Sequence, residues 1–287
     1  MSAVTAKPFT TAQPQDAVYN NWRAHLQLGF VSRADKTVLS RRQHEGPLLV
    51  QRPFYPEGEP CHVYLIHPPG GVVAGDQLLL QAELSVGAHA VITTPAATKF
   101  YRAAPDRLAR VEQQLQLTDA TLEWLPQESI FFNGTAVRMR TRIDLDAASR
   151  FIGWELACYG RRACNEDFRE GYLHQAFELW CAGKPLVLDH LRICGGDPMQ
   201  QAVWGLNGLT AMGSLLAYPA TPETVIAVRE LAFEAHQMSC TLVDGVLLCR
   251  CLCADGAQLK EMLQRIWTCL RPRIVGRPAV APRIWAT

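Results

Sequence analysis

The amino-acid sequence predicts a mainly β protein: a large coiled or antiparallel β architecture, β-helix-like, with two α-helices toward the C-terminus. Three observations lead there. From about Leu48 to Ile193, apolar residues recur mostly at every second position, the period of a half-buried strand. No convincing amphipathic helix interrupts that stretch, which argues against repeated βαβ units. Two capped helical patterns appear only after Ala220.

The elements follow in chain order. In LLLQAELSV, Leu78, Leu80, Ala82, Leu84 and Val86 share one face. In VEQQLQL, Val111, Leu115 and Leu117 alternate with Gln114 and Gln116. In RMRTRIDL, Met139, Thr141, Ile143 and Leu145 alternate with Arg138, Arg140, Arg142 and Asp144. YLHQAFELW repeats the alternation before the turn AGKP and the run LVLDHLRI. Further on, TPETVIAVRELAFEA has Thr221 as N-cap, Pro222 at the first helical position and Glu223 in the first turn. DGAQLKEMLQRIWTCLRP has Asp255 as cap, an apolar stripe of Leu259, Leu263, Ile266 and Leu270, and Pro272 as the expected stop. Between them TLVDGVLLCRCL reads as a hairpin, because Asp244-Gly245 suits a type I′ turn. No fixed-period repeat is visible. Residues 1–18 read as a flexible tail, and 19–287 as one β-rich domain with a small α/β portion at its end.

With 287 residues the chain can bury a sizeable core. A net charge of +1 supplies no strong field, so neither nucleic acid nor an anionic membrane is expected as a partner. The opening MSAVTAKPFTTAQPQ has no apolar run, and no later segment approaches membrane-spanning length. A cytoplasmic location is therefore expected, where the 10 cysteines stay reduced. They form no C-x-x-C, and Cys249, Cys251 and Cys253 in CRCLC read as small core residues on one strand face. There is no G-x-S-x-G, no H-E-x-x-H and no obvious catalytic pair, so no enzyme is expected.

Three stretches carry unusual density. HPPGGVVAGDQL has the glycine spacing of a phosphate loop, but Asp76 and Gln77 stand where Lys and Ser or Thr are needed. Asp76 is either the cap of the turn entering the strand at Leu78, or a carboxylate that faces a polar cavity and handles a cation. TTPAATKFYRA, with Lys99, Tyr101 and Arg102, is either a partner surface or a polar strand face. WELACYGRRACNEDFREGYL places Glu155 between Trp154 and Leu156 on a strand of the body, where a buried carboxylate must be paired or serve a cation. Its Arg161, Arg162, Glu166, Asp167, Arg169 and Glu170 are either a solvated salt-bridge network or a polar path.

Taken together, GPLLVQRPFYPEG (46–58), HPPGGVVAGDQL, TTPAATKFYR, LEWLPQESIFF (122–132), YGRRACNEDFREG (159–171) and LRPRIVGRPAVAPRIWAT (270–287) resemble, in order, the urease accessory protein D family, called UreD or UreH. Ala74, Ala96 and Asn165 stand where that family usually has Gly. The resemblance implies a non-catalytic scaffold for nickel insertion into apo-urease. It implies UreF as a partner, the GTPase UreG through UreF, and the urease apoprotein. No tightly bound cofactor is implied, only transient Ni²⁺. Weak oxygen ligands suit a metal that must be released, so Asp76, Glu155, Glu166 and Glu178 are the expected nickel path. The alternative is a purely structural adaptor that never carries nickel. Lys99, Tyr101, Arg102, Arg161 and Trp285 are the expected partner contacts, with UreF meeting the C-terminal helices and the tail GRPAVAPRIWAT.

Overall fold

Alternating strands separated by tight turns must stack their apolar faces on something, and here they stack on the next turn of the same coil. The computed structural model describes residues 22–104, 107–233 and 237–286. The expected tail, 1–18, lies outside them. In order, the strands are β1 (Arg23–Arg33), β2 (Lys36–Glu45), β3 (Leu49–Val50), β4 (Cys61–Ile66), β5 (Gln77–Leu84), β6 (His89–Thr93), β7 (Thr98–Phe100), β8 (Ala109–Leu117) and β9 (Thr121–Leu125). They continue with β10 (Ser129–Phe131), β11 (Ala136–Leu145), β12 (Arg150–Tyr159), β13 (Tyr172–Cys181), β14 (Lys184–Cys194), β15 (Ala211–Tyr218), β16 (Met238–Val243) and β17 (Val246–Cys253). The helices are α1 (Pro222–Arg229) and α2 (Gly256–Ile274).

Two coils run from a long strand, round a corner, to a strand of a second sheet and then to a short strand, β5-β6-β7 and β8-β9-β10; in the next, β11 is followed by β12, which fills both later places. Equivalent strands of successive coils pair in parallel, as β5–β8–β11–β13, β6–β9–β12 and β7–β10–β12. One sheet has 7 strands in the order β14-β13-β11-β8-β5-β1-β2; the other has 10, with β16-β17-β15-β12-β9-β6-β4-β3 as its path. Antiparallel pairs close both ends, β1 with β2, β13 with β14, and β15 with β12 and β17. The coiled β expectation thus holds. No helix among the described residues is long and apolar enough to cross a membrane.

Local expectations meet the structure unevenly. Leu78, Leu80, Ala82 and Leu84 point inward, but Val86 lies past the end of β5 and is exposed. Thr221 caps α1 in a capping box with Thr224, yet the helix stops at Arg229 rather than spanning the whole expected run to Ala235, whose residues 234–235 lie outside the described ones. Asp255 caps α2 as expected. Pro272 does not end it: the helix runs on to Ile274. A proline removes one i→i−4 bond. Here tertiary anchoring of Arg271 and the bond from Arg273 Nη1 to the Cys269 carbonyl hold the last turn in place.

α2 lies on the outer face of the second sheet. Leu259, Leu263, Ile266 and Leu270 pack there with Ile152, Trp154, Leu156, Leu215 and Cys249. Its seat is ionic as well. Fully buried Arg271 bonds Glu57 (2.7 and 2.8 Å) and Glu123 (3.0 and 3.1 Å), Trp267 Nε1 donates to Glu123 (2.7 Å), and His89 and His62 close the set on Glu123 and Glu57. Burial pushes both carboxyls up. His62 and Arg271 nevertheless hold Glu57 down at about 2, and His89 and Arg271 hold Glu123 below the usual carboxylate range.

Candidate functional site

Between the sheets the interior is two apolar slabs rather than one. Leu115, Leu117, Ile143, Leu145, Phe151, Phe177 and Leu216 belong to one. Val111, Val137, Met139, Ala157, Tyr159, Leu173 and Ile193 belong to the other. The same inward-pointing phases carry polar residues between the slabs: Gln113 on β8, Thr141 on β11, Glu155 on β12, Ser214 on β15 and Asp189 on β14.

These residues form a continuous seam. Thr141 Oγ1 lies within bonding distance of Gln113 Oε1 and 2.7 Å from Glu155 Oε1; Trp124 Nε1 donates to the same Glu155 oxygen at 3.2 Å. One hydroxyl proton serves one acceptor at a time. A protonated Glu155 that donates to Thr141, while Thr141 donates to Gln113, satisfies all three. Burial without a cationic partner agrees, raising the Glu155 carboxyl to about 7. Across the ladder Glu155 faces Ser214, whose hydroxyl donates to Asp189 Oδ2 (2.6 Å); Arg250 Nη2 donates to Asp189 Oδ1 (2.6 Å).

Three cavities follow the seam. The first, about 350 Å³, is lined by His67, Pro68, Lys99, Gln113, Trp124 and Glu155, and reaches the surface beside exposed Pro68 and Lys99. The second, about 30 Å³, is walled by Glu155, Tyr159, Gln175, Asp189 and Ser214, room for one water. The third, about 640 Å³, shares Asp189 with it and opens beside Arg250 and Trp204, the latter 75% exposed. The buried Tyr159 hydroxyl on the second cavity and the His67 Nε2 on the first have no hydrogen-bond partner among the described residues. Burial lowers the His67 imidazole, against the pull of nearby Asp76.

Of the four carboxylates expected from the sequence, only Glu155 is on the seam. Asp76 is buried and caps its turn, accepting from the Trp22 amide (3.3 Å) and the Val73 amide (3.0 Å). Glu166 is held by Arg161 in a two-point pair (2.6 and 3.0 Å) and accepts from the Asn133 amide. Glu178 lies on the outer face of the first sheet, since inward positions of β13 are Leu173, Gln175, Phe177 and Leu179. There it bonds Arg140, Trp180 and His190. Burial alone would raise its carboxyl, but these bonds bring it down to about 2.

The glycine-rich loop has a steric task. Gly71 is pressed against β7: a Cβ there would sit 2.5 Å from the Lys99 carbonyl oxygen and 2.6 Å from the Tyr101 ring. Beside it the expected partner residues converge. Tyr101 donates to the Gly70 carbonyl and meets Phe132 edge-on at 5.0 Å; the Arg161 guanidinium covers the Phe132 ring at 4.2 Å. Arg102 pairs with Glu170, and Lys99 is exposed. Trp285 sits elsewhere, half-buried between Trp154 (5.6 Å) and Trp267 (5.4 Å). One side of its ring thus packs on the core of its own chain.

Asp189, Gln113 and Ser214 went unread in the sequence. Asp189 had a signal: in LVLDHLRI it shares the phase of Val187, Leu191 and Ile193. Among the described residues, no group of three or more His, Cys, Asp or Glu side chains is placed to hold a metal ion.

The profile of the UreD urease accessory protein family matches residues 23–286. The chain belongs to that family. Among its relatives, the urease accessory protein UreD of Pseudomonas putida (strain W619) is 44% identical over 268 residues, covering 93% of this chain and 95% of the relative. Those of Klebsiella aerogenes and Enterobacter sp. (strain 638) are 43% and 41% identical, each covering 93% of this chain and 97% and 96% of the relative. The relatives are thus matched along nearly their whole length, coil and helices alike.

Proposed function

We propose that this UreD family member serves urease maturation by handing Ni²⁺ to the urease apoprotein, in a complex with UreF and, through UreF, the GTPase UreG. The carrying observation is the polar seam. A seam from Gln113 through Thr141, Glu155 and Ser214 to Asp189 joins two surface cavities across an otherwise apolar core, and burying polar groups in such a row has a cost that packing alone does not explain. Oxygen donors bind a divalent ion weakly and exchange it, whereas thiolates would retain nickel. Glu155 supplies charge at the narrow point when it loses its proton. Asp189 is the next carboxylate, moderated by Arg250. The protein supplies the route, and the energy-yielding step belongs to the GTPase.

Glu155→Gln combined with Asp189→Asn keeps the side-chain volumes and removes both charges. Co-expressed with urease and the other accessory proteins, this variant is expected to leave UreF capture unchanged while nickel per urease active site falls severalfold. Full nickel loading with an intact complex would overturn the route and leave the adaptor reading, in which the Tyr101–Phe132–Arg161 surface holds partners and nickel travels elsewhere.

A further inference from the structure

The geometry points to a reversible disulfide between Cys240 and Cys249, a modification site beneath the helices and separate from the polar seam. The β16–β17 hairpin sets the geometry. Asp244 and Gly245 both have positive φ (47° and 75°), the two-residue type I′ turn, so Val243 and Val246 close the hairpin as a hydrogen-bonded pair. The pairs then alternate. The amide of Leu252 donating to the Gln237 carbonyl (2.9 Å) fixes the same parity at the other end. Cys240 opposite Cys249 is therefore a non-hydrogen-bonded pair. At such a pair the Cα atoms are about 4.5 Å apart and the side chains lean together, inside the roughly 4.4–6.8 Å span a disulfide bridges.

Other cysteines of the cluster lack that partner. Cys251 faces Met238 and Cys253 lies against Met262. Both members of the pair are free thiols in the same apolar cluster. They are not equivalent. Cys240 keeps 9% exposure and Cys249 none, so a small oxidant reaches Cys240 first. Arg229 of α1 donates to the Cys240 carbonyl (2.8 Å), which places its charge beside that residue. The Cys249 thiol, with help from Arg229, lowers the Cys240 thiol below its ordinary value, while the same contact raises Cys249. One sulfur is poised to attack and the other to resolve.

With hydrogen peroxide as oxidant the chemistry balances. The Cys240 thiolate attacks the O–O bond, hydroxide leaves, and Cys240 becomes a sulfenic acid. The Cys249 sulfur then attacks the Cys240 sulfur. The S–O bond breaks, and water leaves with the Cys249 proton. Two sulfurs are oxidised and one peroxide is reduced to water. A dithiol reverses the bond by exchange. The closed bond would tie β16 to β17 directly under α1.

The test uses the full chain, reduced, desalted and treated with hydrogen peroxide at neutral pH, then alkylated and mapped by mass spectrometry. The Cys240–Cys249 linkage should appear about tenfold sooner than oxidation of exposed Cys164 and Cys194, and dithiothreitol should restore both thiols. In Cys249→Ser, Cys240 should accumulate as a sulfenic acid that dimedone traps. Cys240 and Cys249 both remaining alkylatable while Cys164 and Cys194 oxidise would overturn the assignment. So would a linkage joining other cysteines.

Discussion

Glu123 and Glu155 stand on neighbouring parallel strands of one sheet but face opposite ways, Glu123 fully buried and Glu155 half-buried at the edge of two cavities. Glu123 faces α2 and is saturated: Arg271, Trp267 and His89 all reach it. Glu155 faces the interior, where its partners among the described residues are the neutral groups Thr141 and Trp124, with two cavities beside it. Identical side chains are therefore driven in opposite directions, Glu123 below the carboxylate range and Glu155 up to about 7. The first arrangement clamps a helix to a sheet. The second leaves a carboxyl with little to hold it, which is what a transient ligand requires.

The largest effect expected from breaking this contrast is at the clamp. Arg271→Met keeps the volume of the stem but leaves Glu57 and Glu123 facing each other without their cation. It should cost about 3–5 kcal/mol in chemical denaturation at neutral pH. Glu57 sharpens the point on the acid side. Its folded value, about 2, lies below the unfolded one, so its contribution is present above the unfolded value and is lost as pH falls toward 2.

Glu155 behaves with the opposite sign. A folded value raised to about 7 means the native state holds a proton that the unfolded state has released between about pH 4.5 and 7. Wild-type stability should decline across that window. Glu155→Gln should be more stable than wild type by about 3 kcal/mol at pH 8, with the advantage gone near pH 4, as read from denaturation midpoints. A constant advantage across that range would mean folding leaves the carboxyl's affinity for its proton unchanged and the contrast false. The smallest effect is expected at Glu178. Glu178→Gln weakens its pairing with Arg140 on the outer face, which should cost about 1 kcal/mol in the same assay and leave urease nickel content unchanged. Lost nickel there would extend the route beyond the seam.

Much of this was legible, and the limits have physical causes. Glu155 was conspicuous because Trp154 and Leu156 flank it. Glu178 was equally conspicuous between Phe177 and Leu179, yet it belongs to the outer face. Alternation states that two faces exist, and only packing decides which one is the interior. Gln113, Ser214 and Asp189 occupied inward phases all along, but a lone polar residue in an apolar phase reads as noise until its neighbours on other strands are known. Arg271 sat inside an apparent helix stop, and its partner Glu123 is 148 residues away.

The order of residues is enough to establish strands, corners, the Asp244-Gly245 turn, both helix caps and, from Asp76 and Gln77, that the glycine-rich loop is no phosphate loop, because each rests on residues close together in the chain. The meeting of Gln113, Thr141, Glu155, Ser214 and Asp189, the burial of Arg271 between two carboxylates, and the facing of Cys240 to Cys249 depend on ladder register and on the stacking of coils. Those follow from the summed packing of the whole chain, to which no local stretch has access.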